Sequence, residues 1–155
     1  MQMRRAFSLI ELMAVMAIVG LLSSMAFLRF GDAAYRTTTA EGFVRTLMLD
    51  LRQARARTIS TGDNHYVLLS RTSGVVASYT LYRDTGGGDV VVDRTVAVPN
   101  GVTITTATDQ WEFEFDGSLG AGTGTGVMLV TGDCYTWTVT VYLATGNVIL
   151  SKVAL

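Results

Sequence analysis

Residues 7–28 are almost wholly apolar and carry one ionisable side chain, Glu11. About 20 apolar residues suffice for a helix to cross a hydrocarbon core of roughly 30 Å. The run therefore predicts a membrane-spanning helix over 7–30. The pattern then narrows to a stripe. Phe43, Leu47, Leu51 and Ala54 recur at helical spacing, and Val44 and Met48 widen the stripe. Arg45, Arg52, Arg55 and Arg57 lie mostly off it. This predicts an amphipathic continuation over 31–62, so that one helix runs from Phe7 to about Ser60. Gly31 and Gly42 are points where it can bend, and Thr61-Gly62-Asp63-Asn64 is its stop.

From 63 to 155 the period changes to two. Strands are expected at 65–71, 76–83, 89–98, 102–106, 111–115, 126–131, 135–143 and 148–153, with the longer alternations the clearest. Trp111, Phe113 and Phe115 alternate with acids. Tyr135, Trp137, Val139, Val141 and Leu143 alternate with threonines, and Ala144 to Asn147 turn the chain into a closing hairpin. One helical stripe beside about seven strands predicts an α+β fold. A long N-terminal helix, first transmembrane and then amphipathic, packs on antiparallel β-sheets of a C-terminal globular domain.

Charge fixes the expected orientation. Arg4 and Arg5 precede the apolar run and no acid lies among the first ten residues, which keeps the N-terminus in the cytoplasm and exports the rest. The remaining composition mostly excludes. Net charge is −1, from 12 basic and 13 acidic residues, with no basic block of the kind that marks a nucleic-acid surface. A single cysteine, Cys134, permits no internal disulfide, so it is read as a buried small side chain, with an intermolecular disulfide as the alternative. A single histidine, His65, excludes a multi-histidine metal site and reads as a solvated or hydrogen-bonded turn residue. Asp116 and Asp133 have no spacing of a known calcium loop and read as turn residues. The glycine-rich run 117–126 follows no strand-to-helix transition and lacks lysine, so it is no phosphate cradle. It is expected to be a mobile loop of the sort that makes partner contacts. No clustered acid, base or nucleophile is visible, so neither a catalytic residue nor a cofactor is assigned.

The order of the N-terminal features is distinctive. A short leader, residues 1–6, ends in the small residue Ala6 before the apolar run, whereas a secretory signal places its small-residue cleavage site after the apolar core. Ala6, Phe7 and Ser8-Leu9-Ile10-Glu11-Leu12 together resemble the class III signal of type IV pilins and type II secretion pseudopilins, with Gly20 at a helix glycine common in that family. The family usually carries glycine where this chain has Ala6. Further along, Leu51-Arg52-Gln53-Ala54-Arg55-Ala56-Arg57, then Gly62 before Tyr66-Val67-Leu68-Leu69, is similar to the GspH/FimT family of minor pseudopilins and minor pilins. So are Phe113-Glu114-Phe115-Asp116-Gly117 and the closing Thr145-Gly146-Asn147 turn. Two features of major pilins, a proline in the membrane helix and a C-terminal cysteine pair, are lacking, which favours a minor component.

The resemblance implies that a prepilin peptidase cuts between Ala6 and Phe7 and methylates the Phe7 amine. An inner-membrane assembly platform then passes the subunit from the lipid bilayer into a helical filament with other pilins or pseudopilins. Glu11 would pair there with the Phe7 amine of a neighbour. The leading expectation is a minor pseudopilin of a type II secretion system, anchored by one span with its C-terminal domain in the periplasm. A minor type IV pilin that primes pilus assembly or DNA uptake is the alternative, and a membrane-tethered β-domain binding protein is a third reading of another class. Removal of the leader takes the net charge to −3, with 10 basic against 13 acidic residues, which disfavours nucleic acid as a partner.

Overall fold

Helix α1 spans Leu9–Thr61, and both expected bend points lie within it. In the computed structural model, residues 8–120 and 126–155 are described, with 27–34 described by backbone alone. The chain divides at Tyr35 and Arg36 into two compact units. In the first, Leu9–Ala26 is an 18-residue apolar stretch, long and apolar enough to cross a membrane. At 1.5 Å per residue it spans about 27 Å, and all of its side chains are exposed.

The second unit holds the globular domain. Nine strands follow α1 among the described residues: β1 (His65–Thr72), β2 (Val75–Asp84), β3 (Asp89–Val91), β4 (Val96–Ala97), β5 (Thr103–Thr106), β6 (Gln110–Phe113), β7 (Val127–Thr131), β8 (Tyr135–Val141) and β9 (Val148–Ala154). They make two antiparallel sheets. The first has the order β3-β2-β1-β6, with β4 also paired to β2, and the second the order β5-β7-β8-β9. The predicted stripe is the helix's buried face: Phe43, Val44, Leu47, Leu51 and Ala54 join one core with Val67, Leu81, Trp111 and Phe113 of the first sheet and Met128, Val130, Trp137 and Val139 of the second. Ala40 and Thr58 extend that face by a turn at each end.

Polar ties hold the helix to both sheets. Phe43 meets Tyr79 edge-on at 5.9 Å, and the Tyr79 hydroxyl donates to Asp50 at 2.7 Å. Arg52 Nη2 donates to the Val148 carbonyl and Arg55 Nε to the Gly117 carbonyl. Lys152 Nζ reaches Glu41 at 2.9 Å while lying 3.9 Å from the centre of the Tyr135 ring.

Three expectations fail at strand ends, each for a local reason. The predicted strand 89–98 is two short pieces on the same edge of β2. Between them Asp93 Oδ1 accepts from the Arg94 amide and Thr95 Oγ1 bonds Thr80 Oγ1, side-chain bonds that take the backbone out of the ladder. The strand expected at 111–115 stops at Phe113, and Phe115 is 68% exposed. An Asp116 turn, with Oδ1 accepting from the Ser118 amide, reverses the chain so that Leu119 bridges to Phe113 and fills the core in its place. Leu143 is likewise exposed, because the closing turn already begins at Tyr142, whose carbonyl accepts from the Gly146 amide.

Candidate functional site

The N-terminal turn of α1 is built around Ser8 and Glu11. The Ser8 carbonyl accepts from the amides of Glu11 (3.0 Å) and Leu12 (3.2 Å), which makes Ser8 the residue that opens the helix. Glu11 is the third helical residue, and its Oε2 accepts from the Ser8 amide at 3.4 Å. Ser-x-x-Glu with this return bond is half of a capping box. Glu11 therefore has a role inside its own chain beyond the charge that singles it out in the sequence, and the Ser8-to-Glu11 spacing is the signal for it. Around this carboxylate the surface is apolar: Leu9, Ile10, Leu12 and Met13 are all exposed. Ala6 and Phe7, the residues of the expected cut and methylation, lie outside the described residues.

The four arginines off the apolar stripe are engaged. Arg45 pairs with Glu41 at 2.7 Å, Arg52 and Arg55 hold backbone carbonyls, and Arg57 donates from Nε and Nη2 to the Gln53 amide oxygen when that amide faces it.

His65 is a buried residue at the start of β1 rather than a solvated turn residue. Its amide donates to Thr58 Oγ1 at 3.1 Å, and its Nδ1 lies 2.9 Å from the Asp63 carbonyl and 3.3 Å from Thr58 Oγ1. A carbonyl only accepts, so Nδ1 carries the ring proton. Burial pushes the imidazole pKa down; the Asp63 carbonyl opposes this, and the positive charges of Arg57 and Arg83 add to the lowering. His65 and Thr58 thus lock the C-terminal end of α1 to the first sheet.

Cys134 is exposed in the turn before β8, not buried. Asp133 lies 3.7 Å from Arg36, and Asp116 is held below the usual carboxylate range by the Ser118 hydroxyl and amide. Among the described residues no cluster of His, Cys, Asp or Glu is arranged to hold a metal. The glycine-rich run is pinned at both described ends: the Leu119 amide donates to Leu143, the Gly120 amide to Glu112, and the Val141 amide to the Gly126 carbonyl. Its middle, 121–125, lies outside the described residues.

An exposed apolar helix that runs on into the core of a two-sheet antiparallel domain defines a pilin-like subunit. Residues 1–27 match the prokaryotic N-terminal methylation motif, and residues 44–145 match the family described as type II transport protein GspH. The chain belongs to the GspH family, whose members are structural subunits of the pilin and pseudopilin type. Neither a curated protein nor a solved structure matches it.

Proposed function

We propose that this chain is a minor pseudopilin of a type II secretion system. Residues 1–6 are its leader, 7–30 its membrane helix, 31–62 the amphipathic continuation and 63–155 the periplasmic domain. Prepilin peptidase cuts between Ala6 and Phe7 and methylates Phe7, and the subunit leaves the inner membrane for a helical filament of pseudopilins. The supporting observation is the succession of a methylation motif, a fully exposed apolar helix and a GspH domain in one chain.

In a bundle of such helices the Glu11 carboxylate loses its water. A lone carboxylate at mid-bilayer costs about 2.5–3.5 kcal/mol on insertion scales, and less for Glu11, which stands in the first turn of the apolar helix. The positive Phe7 amine of an adjacent subunit offsets that cost and sets the axial register of the two helices. The capping bond to Ser8 allows a separation of roles. Glu11→Gln keeps an acceptor for the Ser8 amide but carries no charge, whereas Glu11→Ala loses both. If charge pairing drives assembly, both variants insert and are cleaved, and both are under-represented in isolated filaments. Normal incorporation of Glu11→Gln, read by quantitative immunoblot, refutes the pairing.

A further inference from the structure

A cleft of about 350 Å³ lies between the C-terminal end of α1 and the first sheet. Arg57 and Thr61 from the helix, His65 from β1, Arg83 from β2 and the valines 90–92 line it. Register explains the grouping. His65 lies opposite Arg83, and Arg83 opposite Val90, so the three share one face of the sheet. Arg57 and Thr61 are one turn apart on α1 and cap that row.

The charge in the cleft is unbalanced. Arg83 Nε is buried without a hydrogen-bond acceptor, and the Asp63 carboxylate stands 3.8 Å from it. Arg57 also lines the cleft, its Nε and Nη2 reaching the neutral Gln53 amide oxygen when that amide faces it, so two guanidinium charges stand near one carboxylate, beside a histidine whose pKa burial lowers. The neighbouring acids Asp84 and Asp89 are opposite one another on the other face of the sheet. The apolar wall is also uncovered: Val90, on the same face as Arg83, is 50% exposed, and β3 is the edge strand of its sheet. An open edge next to an arginine whose Nε lacks an acceptor and whose side chain is part exposed suits an extended peptide, which gains main-chain bonds from the strand and places alternate side chains in the cleft. A planar guanidinium binds a carboxylate through two parallel hydrogen bonds. The volume is near the lower end of the roughly 300–1,000 Å³ typical of small-ligand sites, so it admits one or two side chains.

We propose that the Arg57–Arg83 cleft is a docking site for an extended acidic segment of a partner protein, which lies along β3 and places a carboxylate against the two arginines. The inference is independent of leader processing and of the Glu11 pairing.

The test uses the full-length protein in detergent micelles. The probe is a blocked pentapeptide of alternating valine and glutamate, and the readout is the ¹⁵N–¹H shifts of the Arg57 and Arg83 Nε–H groups and of the amides of residues 89–91. The expected result is a saturable shift at both places, with affinity at least tenfold weaker for the glutamine counterpart of the peptide and at least tenfold weaker in Arg83→Met. The double variant Arg57→Glu/Arg83→Glu should prefer the lysine counterpart. The glutamine peptide keeps the test independent of any folding defect in the variants. The proposal is overturned by the absence of a saturable shift, by equal binding of the glutamine peptide, by inorganic phosphate competing with equal affinity, or by a DNA duplex binding these residues in preference to the peptide.

Discussion

Thr58→Val probes the lock between the end of α1 and the first sheet. Thr58 is fully buried and its hydroxyl serves three groups: it donates to the Ala54 carbonyl at 3.0 Å, accepts from the His65 amide at 3.1 Å and lies 3.3 Å from His65 Nδ1. Valine keeps the branched shape and deletes the oxygen. The Ala54 carbonyl loses little, because an oxygen in a helix has other donors along the chain. The His65 amide loses its acceptor in a buried position, and an unsatisfied buried donor costs about 1–3 kcal/mol. Burying a methyl in place of a hydroxyl returns part of this, roughly 0.5–1 kcal/mol. At the midpoints of these ranges the net loss is about 1.2 kcal/mol, a downward shift of roughly 5 °C in Tm for a domain of this size. Urea unfolding in detergent, followed by the fluorescence of the buried Trp111 and Trp137, measures it. A loss below about 0.5 kcal/mol, the range of ordinary surface substitutions, refutes the claim that this hydroxyl ties the two elements together.

His65 gives the same lock a pH dependence. Its folded pKa lies below the unfolded value of about 6.5, so between the two values the unfolded chain binds the extra proton and stability rises with pH. Unfolding free energy should fall as pH drops through about 6.5 toward the folded pKa, and His65→Gln should flatten that segment of the curve; an unchanged slope in the variant contradicts the assignment. Gly146→Ala should be severe, because Gly146 has φ +61° and a Cβ there collides with the Gly117 carbonyl oxygen while crowding Arg55 Cδ at 3.0 Å. The loss should exceed the roughly 1–2 kcal/mol that a left-handed conformation costs an L-residue, and denaturation showing less would mean that the turn is free to move.

The parts of this fold that were legible in the sequence are those where one period holds over several residues. The stripe Phe43–Leu47–Leu51 repeats every four positions and is the helix face in the core, and Trp137, Val139 and Val141 alternate and are all buried. Legibility fails where a side chain captures the backbone. The Asp93 and Thr95 bonds split one predicted strand into two, and the Asp116 turn exchanges Phe115 for Leu119. Neither event leaves a mark in hydrophobic pattern, because both depend on which groups meet after folding. For His65 the pattern left solvated and hydrogen-bonded readings open for a related reason: its partner Thr58 is seven residues away across a helix end, and the pairing is a matter of tertiary packing. The Ser8–Glu11 cap was present as a local spacing but was overshadowed by the charge of Glu11 in an apolar run. The Arg57–Arg83 cleft depends on strand register, which aligns His65, Arg83 and Val90 from three strands.

On the proposed function, this subunit enters a filament only after its amino end has been cut and modified. Intact mass spectrometry of the protein isolated from cells with an active prepilin peptidase tests it directly. The expected mass is that of a chain that begins at Phe7 and carries one added methyl group. A chain that still holds residues 1–6, or one cut after the apolar helix, would contradict it.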